Sequence, residues 1–188
     1  MNFSSPTDVQ VIGTQNRALV RVMWVSFFAI LTAAGAWVRI PLPFTPVPIT
    51  LQTLVVLASG VVLGRDGLYS QVLYLILGGI GLPLFANGAG NFPYLFSATG
   101  GYLVGFVAAS AVAGKWLHPM WDSLSIWGRA WRLVAVQLFI FIPGVLQLGL
   151  VLGITPAKAV LLGFVPFLIG DTIKTFVAAA IPARLIRK

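Results

Sequence analysis

Near the end of the chain, Asp171 and Lys174 stand three residues apart, the only acid and the only amine inside any hydrophobic span of the sequence. At that spacing they share one helix face. Charged groups in such surroundings are costly unless they are paired or turned toward a cavity. A carboxylate accepts N–H groups and an ammonium donates to a carbonyl oxygen, so the pair suits a neutral ligand with its own donors and acceptors, such as a urea-like group. A helix-stabilising ion pair without a ligand is the alternative reading of the same two residues.

Catalysis is hard to assemble from what remains. His118 is the sole histidine, there is no Cys and no Glu, and the other acids, Asp8, Asp66 and Asp122, fall in the N-terminal segment or in loops. That leaves no transition-metal cluster, no paired carboxylates in a span and no base beside a Ser or Thr nucleophile. Gly114-Lys115 lacks the earlier glycine of a phosphate-binding loop, and Gly78, Gly79 and Gly81 do not continue into a dinucleotide fingerprint. The sequence therefore reads as a non-enzyme that needs no metal or cofactor, and any ATP-driven step requires a partner.

The elements that must position the pair are membrane spans. Of 188 residues, 59% are hydrophobic and only 9% are charged, against roughly a quarter charged in a soluble domain. The fold class is an all-α integral membrane protein, a bundle of six transmembrane helices in one domain over residues 17 to 188, preceded by a flexible tail over residues 1 to 16. The spans are predicted from Val22 to Ile40, Leu51 to Gly64, Leu68 to Leu82, Ala98 to Leu117, Leu133 to Leu152, and, after a break near Pro166 and Gly170, Asp171 to Ile186. The second and third are shorter than a perpendicular crossing requires, so adjoining loops must complete them. Pro41 to Pro48 carries too many prolines for a helix and reads as a rigid extended loop. Pro83 to Ser97, rich in Gly and Asn yet apolar, reads as irregular backbone that lines a cavity or is buried in protein. The segment His118 to Arg132 reads as an interfacial loop.

The formal charge of +8 comes from 12 basic residues against 4 acids. They flank hydrophobic runs and do not form a patch interleaved with aromatics, which argues for the lipid bilayer as partner and against nucleic acid. Arg17, Arg21, Arg65, Lys115, Arg129, Arg132, Arg184, Arg187 and Lys188 fall on one side of the six-span arrangement, leaving Arg39 and Lys158 on the other. The positive-inside rule then puts both termini in the cytoplasm. The Pro-rich loop, the Gly- and Asn-rich loop and the Thr155 region converge on the outer face. In the first span Ala29 and Ala33 lie four apart, a spacing that lets another helix approach closely, from within the chain or from a partner.

Four segments in order carry a family resemblance: Pro46-Val-Pro-Ile-Thr-Leu-Gln52, Gly81-Leu-Pro83, Thr99-Gly-Gly-Tyr102 and Gly170-Asp-x-x-Lys174. From Trp24 to Lys188 the chain resembles the BioY family, the biotin-specific substrate-binding (S) components of energy-coupling factor (ECF) transporters. The resemblance implies biotin held near the outer face of a bacterial cell membrane beneath movable loops, with Asp171 and Lys174 addressing its ureido ring. It also implies docking through Ala29 and Ala33 onto a transmembrane coupling subunit that works with two ATPase subunits. Gln52 and Tyr102 fall in the matching segments as candidate polar groups of the cavity. The asparagine that some members use in the Gly-rich outer loop aligns with Ala89, which leaves Asn87 and Asn91 as candidates for its hydrogen bonds. Backbone N–H groups between them are candidates for the ligand carboxylate.

Overall fold

A computed structural model describes residues 6–182 and 185–186, with side chains from Arg17 onward. The described chain is all-α apart from one two-stranded ladder: α1 (Pro6–Trp37), β1 (Arg39–Ile40), β2 (Ile49–Thr50), α2 (Gln52–Leu63), α3 (Asp66–Gly79), α4 (Gly100–Val112), α5 (Ile126–Leu152), α6 (Pro156–Gly163) and α7 (Leu168–Ala179). Four stretches are long and apolar enough to cross a bilayer: Arg17–Trp37, Gly100–Ser123, Ile126–Leu152 and Pro156–Ala179. α2 and α3 complete the six. With 12 and 14 residues, they rise about 18 and 21 Å at ~1.5 Å per residue, short of a hydrocarbon core of ~30 Å. A helix apolar on all sides belongs in the middle of a bundle. α2 is accordingly buried around most of its circumference, among α1, α3, α4 and α7.

Local sequence sets the boundaries. Ser125 caps α5 by accepting from the Gly128 N–H at 3.2 Å, and Gly153 ends that helix in the left-handed conformation, φ 62°. Thr155 caps α6 with Pro156 in its first turn. A 3₁₀ turn at Val165–Phe167, containing Pro166, separates α6 from α7. α4 and α5 approach closely because α4 presents glycines: a Cβ on Gly105 would lie 2.7 Å from the Ile140 Cα and the Phe139 carbonyl oxygen. One apolar core runs through the bundle, with Ala33, Leu57, Tyr74, Phe106, Leu133 and Ala178 among its members.

The backbone is helical from Pro6, and residues 1 to 5 lie outside the described residues. The Pro-rich segment is non-helical, as expected, and forms the tip of a hairpin, since Arg39 pairs with Thr50 and Ile40 with Ile49 in an antiparallel ladder. Two expectations require correction. The expected loop His118 to Arg132 is a 3₁₀ turn, His118–Ser123, followed by the first turns of α5; the Ser125 cap starts the helix there in spite of Gly128. The last helix spans Leu168–Ala179 rather than Asp171 to Ile186, because Phe167 and Leu168 re-enter the helical conformation directly after Pro166. Arg184, Arg187 and Lys188, used in counting charge, lie outside the described residues.

The bundle has two distinct ends. At one, Arg21 pairs with Asp66 at 2.6 Å and His118 Nδ1 meets the Val61 carbonyl at 2.7 Å, which gathers the front of α1, the α2–α3 turn and the end of α4. At the other, the hairpin, the irregular segment after α3 and the α6–α7 break come together around a cavity.

Candidate ligand-binding site

α7 presents Asp171 and Lys174 to the interior, 2% and 7% exposed. Lys174 Nζ lies 2.5 Å from Asp171 Oδ1. Thr53, in the first turn of α2, closes a triangle: its hydroxyl donates to Asp171 Oδ1 at 2.9 Å and accepts from Lys174 Nζ at 3.2 Å. Backbone bonds fix the acid's own turn, with Thr175 Oγ1 donating to the Asp171 carbonyl at 2.7 Å and Gln137 Nε2 donating to it at 3.4 Å.

The triangle is incomplete in a specific way. Asp171 Oδ2 is buried and has no hydrogen-bond partner, and an ammonium has three donors, of which Lys174 spends two on Asp171 and Thr53. A buried acceptor left unmade costs about 1–3 kcal/mol, more when it is charged. The pair is thus neither sealed nor self-sufficient: it offers one acceptor and one donor side by side.

Both residues line a cavity of about 50 Å³. Its polar wall is completed by Thr50, Gln52, Thr53 and Thr99, and its apolar wall by Val47, Leu103, Phe106, Phe141 and Phe167 together with the rings of Tyr94 and Tyr102. Val47 and Pro48 come from the hairpin tip and Ala86 from the irregular segment, so loop elements roof the cavity. Small-molecule pockets occupy ~300–1,000 Å³. The cavity as described is smaller than that range.

Of the residues singled out from sequence, the structure brings Asp171, Lys174, Gln52 and Tyr102 together and leaves Asn87, Asn91, Ala29 and Ala33 apart. Gln52 and Tyr102 line the cavity with their polar atoms already engaged. Gln52 Nε2 donates to the Tyr74 hydroxyl at 2.7 Å, and the Tyr102 hydroxyl donates to the Gly163 carbonyl at 2.7 Å, bracing α4 against the end of α6. Asn87, the one non-glycine residue with positive φ among those described, lines a separate recess with Trp37 and Arg39. Asn91 accepts from the Tyr94 N–H at 2.9 Å and serves as a cap for the following 3₁₀ turn. Short amide side chains satisfy local turns before they reach outward, which is the physical reason Asn91 does not join the site, whereas Asn87 is exposed in its own recess.

Ala29 and Ala33 are 2% and 6% exposed and belong to the core of the chain, where α1 packs against α2 and α3.

The sequence model of the BioY family matches residues 8–188. The chain belongs to the BioY family. The biotin transporter BioY of Thermotoga maritima is 41% identical over 169 residues, which cover 84% of this chain and 90% of that protein. The probable biotin transporter BioY of Pyrococcus horikoshii is 34% identical over 165 residues, 87% of this chain and 94% of that protein. A crystal structure of the S-component for biotin from an ECF-type ABC transporter superposes with a TM-score of 0.83 at 25% identity, covering 90% of this chain and 92% of the other.

Thr53 and the aromatic wall are the site residues that sequence reasoning missed. Thr53 directly follows the Pro46–Gln52 segment, one residue beyond where the family likeness was read. Phe167 stands four residues before Asp171, in the turn that leads into α7, and the break expected near Pro166 and Gly170 set it outside the helix. Phe106 and Phe141 carried no signal, because an apolar side chain facing a cavity and one facing lipid look alike in a sequence.

Proposed function

We propose that this chain captures biotin at the outer face of a cell membrane and passes it inward as the substrate-binding subunit of an ECF transporter. The observation that carries the reading is the unpartnered, buried Asp171 Oδ2 beside Lys174 in a cavity walled by Phe106, Phe141 and Phe167. A ureido ring supplies what this wall lacks. One ring N–H donates to Asp171 Oδ2, the ring carbonyl accepts from the remaining Lys174 N–H, and the fused bicycle buries its apolar faces against the phenylalanines. Burial supplies affinity and the charged pair supplies orientation without a net charge on the ligand ring.

Transport against a gradient follows from partners. The sequence holds no phosphate-binding loop, so a coupling subunit and, through it, two ATPase subunits provide the energy. The basic end of the bundle faces the cytoplasm, with both termini there, and the cavity faces out. Calorimetric titration of the detergent-purified chain with biotin, with lipoate as the control, tests the assignment. Lipoate shares a short fatty-acid tail but lacks the ureido group. Tight biotin binding with no lipoate binding is expected, and equal affinity for both removes Asp171 and Lys174 from the recognition of the ring.

A further inference from the structure

At the end of the bundle away from Asp171, a second cavity of about 380 Å³ is lined by Leu63, Gly64, Arg65, Asp66, Gly114, Lys115, His118 and Pro119. It sits where the α2–α3 turn meets the close of α4. Gly64 and Gly114 let the α2–α3 turn and the end of α4 meet: a Cβ on Gly114 would lie 2.1 Å from the Gly64 carbonyl oxygen, and one on Gly64 would lie 2.9 Å from His118 Cδ2.

The electrostatics of the lining are one-sided. Asp66 is the sole acid among the lining residues and is already engaged by Arg21 at 2.6 Å, with the Arg21 guanidinium also over the Tyr69 ring. Arg65 and Lys115 are exposed. His118 turns Nδ1 to the Val61 carbonyl at 2.7 Å. A carbonyl only accepts, so Nδ1 carries the proton and Nε2 is the nitrogen left over, at the Gly64 side of the cavity. The 14-residue α3 starts at Asp66 and directs its N-terminal dipole to the same place.

We propose that this cavity binds the phosphate of an anionic membrane lipid through Arg65 and Lys115. The neighbouring tryptophans favour a lipid over a free anion. Trp116 adjoins Lys115 and packs edge-on against Trp131 at 6.3 Å, and exposed tryptophans of this kind mark the headgroup level. The cavity therefore opens where lipid phosphates lie.

The test uses the purified full-length chain in a neutral detergent. Short-chain phosphatidylglycerol, short-chain phosphatidylcholine and inorganic phosphate are titrated separately, and thermal stability is read in each case. Three proteins are compared: the parent, Arg65→Gln/Lys115→Gln, and the charge-matched control Arg17→Gln/Lys158→Gln. Stabilisation of the parent and the control by phosphatidylglycerol alone is expected. The site variant should need roughly thirtyfold more lipid for the same shift, since each basic residue near an anionic surface contributes about fivefold. Biotin affinity should stay unchanged in the site variant, because both substitutions lie at the far end from Asp171. Equal stabilisation by phosphatidylcholine, or equal loss in the control variant, overturns the site. Equal stabilisation by inorganic phosphate overturns the lipid assignment and makes it a free-anion site.

Discussion

Asp171→Asn removes a charge while keeping the shape of the side chain, which makes it the sharpest perturbation of the cavity. Two separate quantities should respond. Binding loses the hydrogen bond from a ligand N–H to a charged oxygen, worth about 1.5–3 kcal/mol, so the biotin Kd should rise roughly 10- to 150-fold. Folding loses the partner of Lys174, whose ammonium is buried beside Asp171 Oδ1 and Thr53. Breaking one side of a buried pair costs about 3–5 kcal/mol, and with side chains 3% and 9% exposed solvent screening does little to reduce it. A loss of affinity alone would therefore be ambiguous, because an unstable protein also binds poorly. The double variant Asp171→Asn/Lys174→Met resolves this: it removes both charges at similar volume, so it should recover most of the lost stability while biotin binding stays weak. Calorimetric Kd values and thermal midpoints in the same detergent give both readouts. A single variant that binds biotin within about threefold of the parent, or a double variant that binds normally, refutes the idea that the carboxylate meets the ligand.

Three further outcomes follow from the packing and the charge distribution. Tyr74→Phe removes the acceptor of the 2.7 Å bond from Gln52 and should cost about 1–3 kcal/mol, read as a lower thermal midpoint and weaker biotin binding; an unchanged midpoint would show that Gln52 finds another partner. Gly105→Ala forces a methyl group to within 2.7 Å of α5 backbone and should destabilise the bundle by about 1–3 kcal/mol, whereas Gly79→Ala, which meets nothing within 4 Å, should be neutral or slightly stabilising in the same melt. Because the sequence has no Cys, single cysteines are clean topology probes: Lys158→Cys should react with an impermeant maleimide in intact cells, Ser123→Cys only after permeabilisation, and the reverse pattern would invert the proposed orientation.

The long spans and the polar pair were legible in the sequence because both rest on strong local signals. A run such as Leu133 to Leu152 can satisfy its backbone in a bilayer only as a helix, and a lone acid and amine inside such a run demand an explanation. What lay hidden depends on facing. Ala29 and Ala33 show that a small-residue pair signals close approach without saying what approaches; here both are buried in the chain's own core. Asn91 shows the same limit for polar groups, since capping consumes an amide that a linear reading leaves free, and Asn87 shows another, since its left-handed turn sets it in a separate recess. The hairpin escaped because its ladder has two rungs, too few residues for a period-2 pattern to appear.

The way the cavity is held indicates which parts move when a ligand arrives. α7 is fastened at its far end: Arg129 Nη1 donates to the Ala179 and Ile181 carbonyls at 3.4 and 3.3 Å, Trp121 Nε1 donates to the Ile181 carbonyl at 3.0 Å, and the guanidinium lies 4.8 Å from the Trp121 ring centroid. Near Asp171 it is fastened by Gln137. The roof is held by backbone and by packing: the hairpin by its short ladder and the Leu51 N–H to the Gly35 and Val38 carbonyls, the Ala86 segment by the buried Phe85 between Tyr74 and Tyr94 and by long bonds from the Tyr74 and Tyr94 hydroxyls to the Leu84 and Ala86 carbonyls, both 3.4 Å. None of these roof contacts involves Asp171 or Lys174, so widening a cavity of about 50 Å³ by lifting the roof leaves the Asp171–Lys174 geometry unchanged. Substitutions in the roof should then alter the rates of biotin binding and release together, whereas substitutions in the triangle of Thr53, Asp171 and Lys174 should act mainly on release.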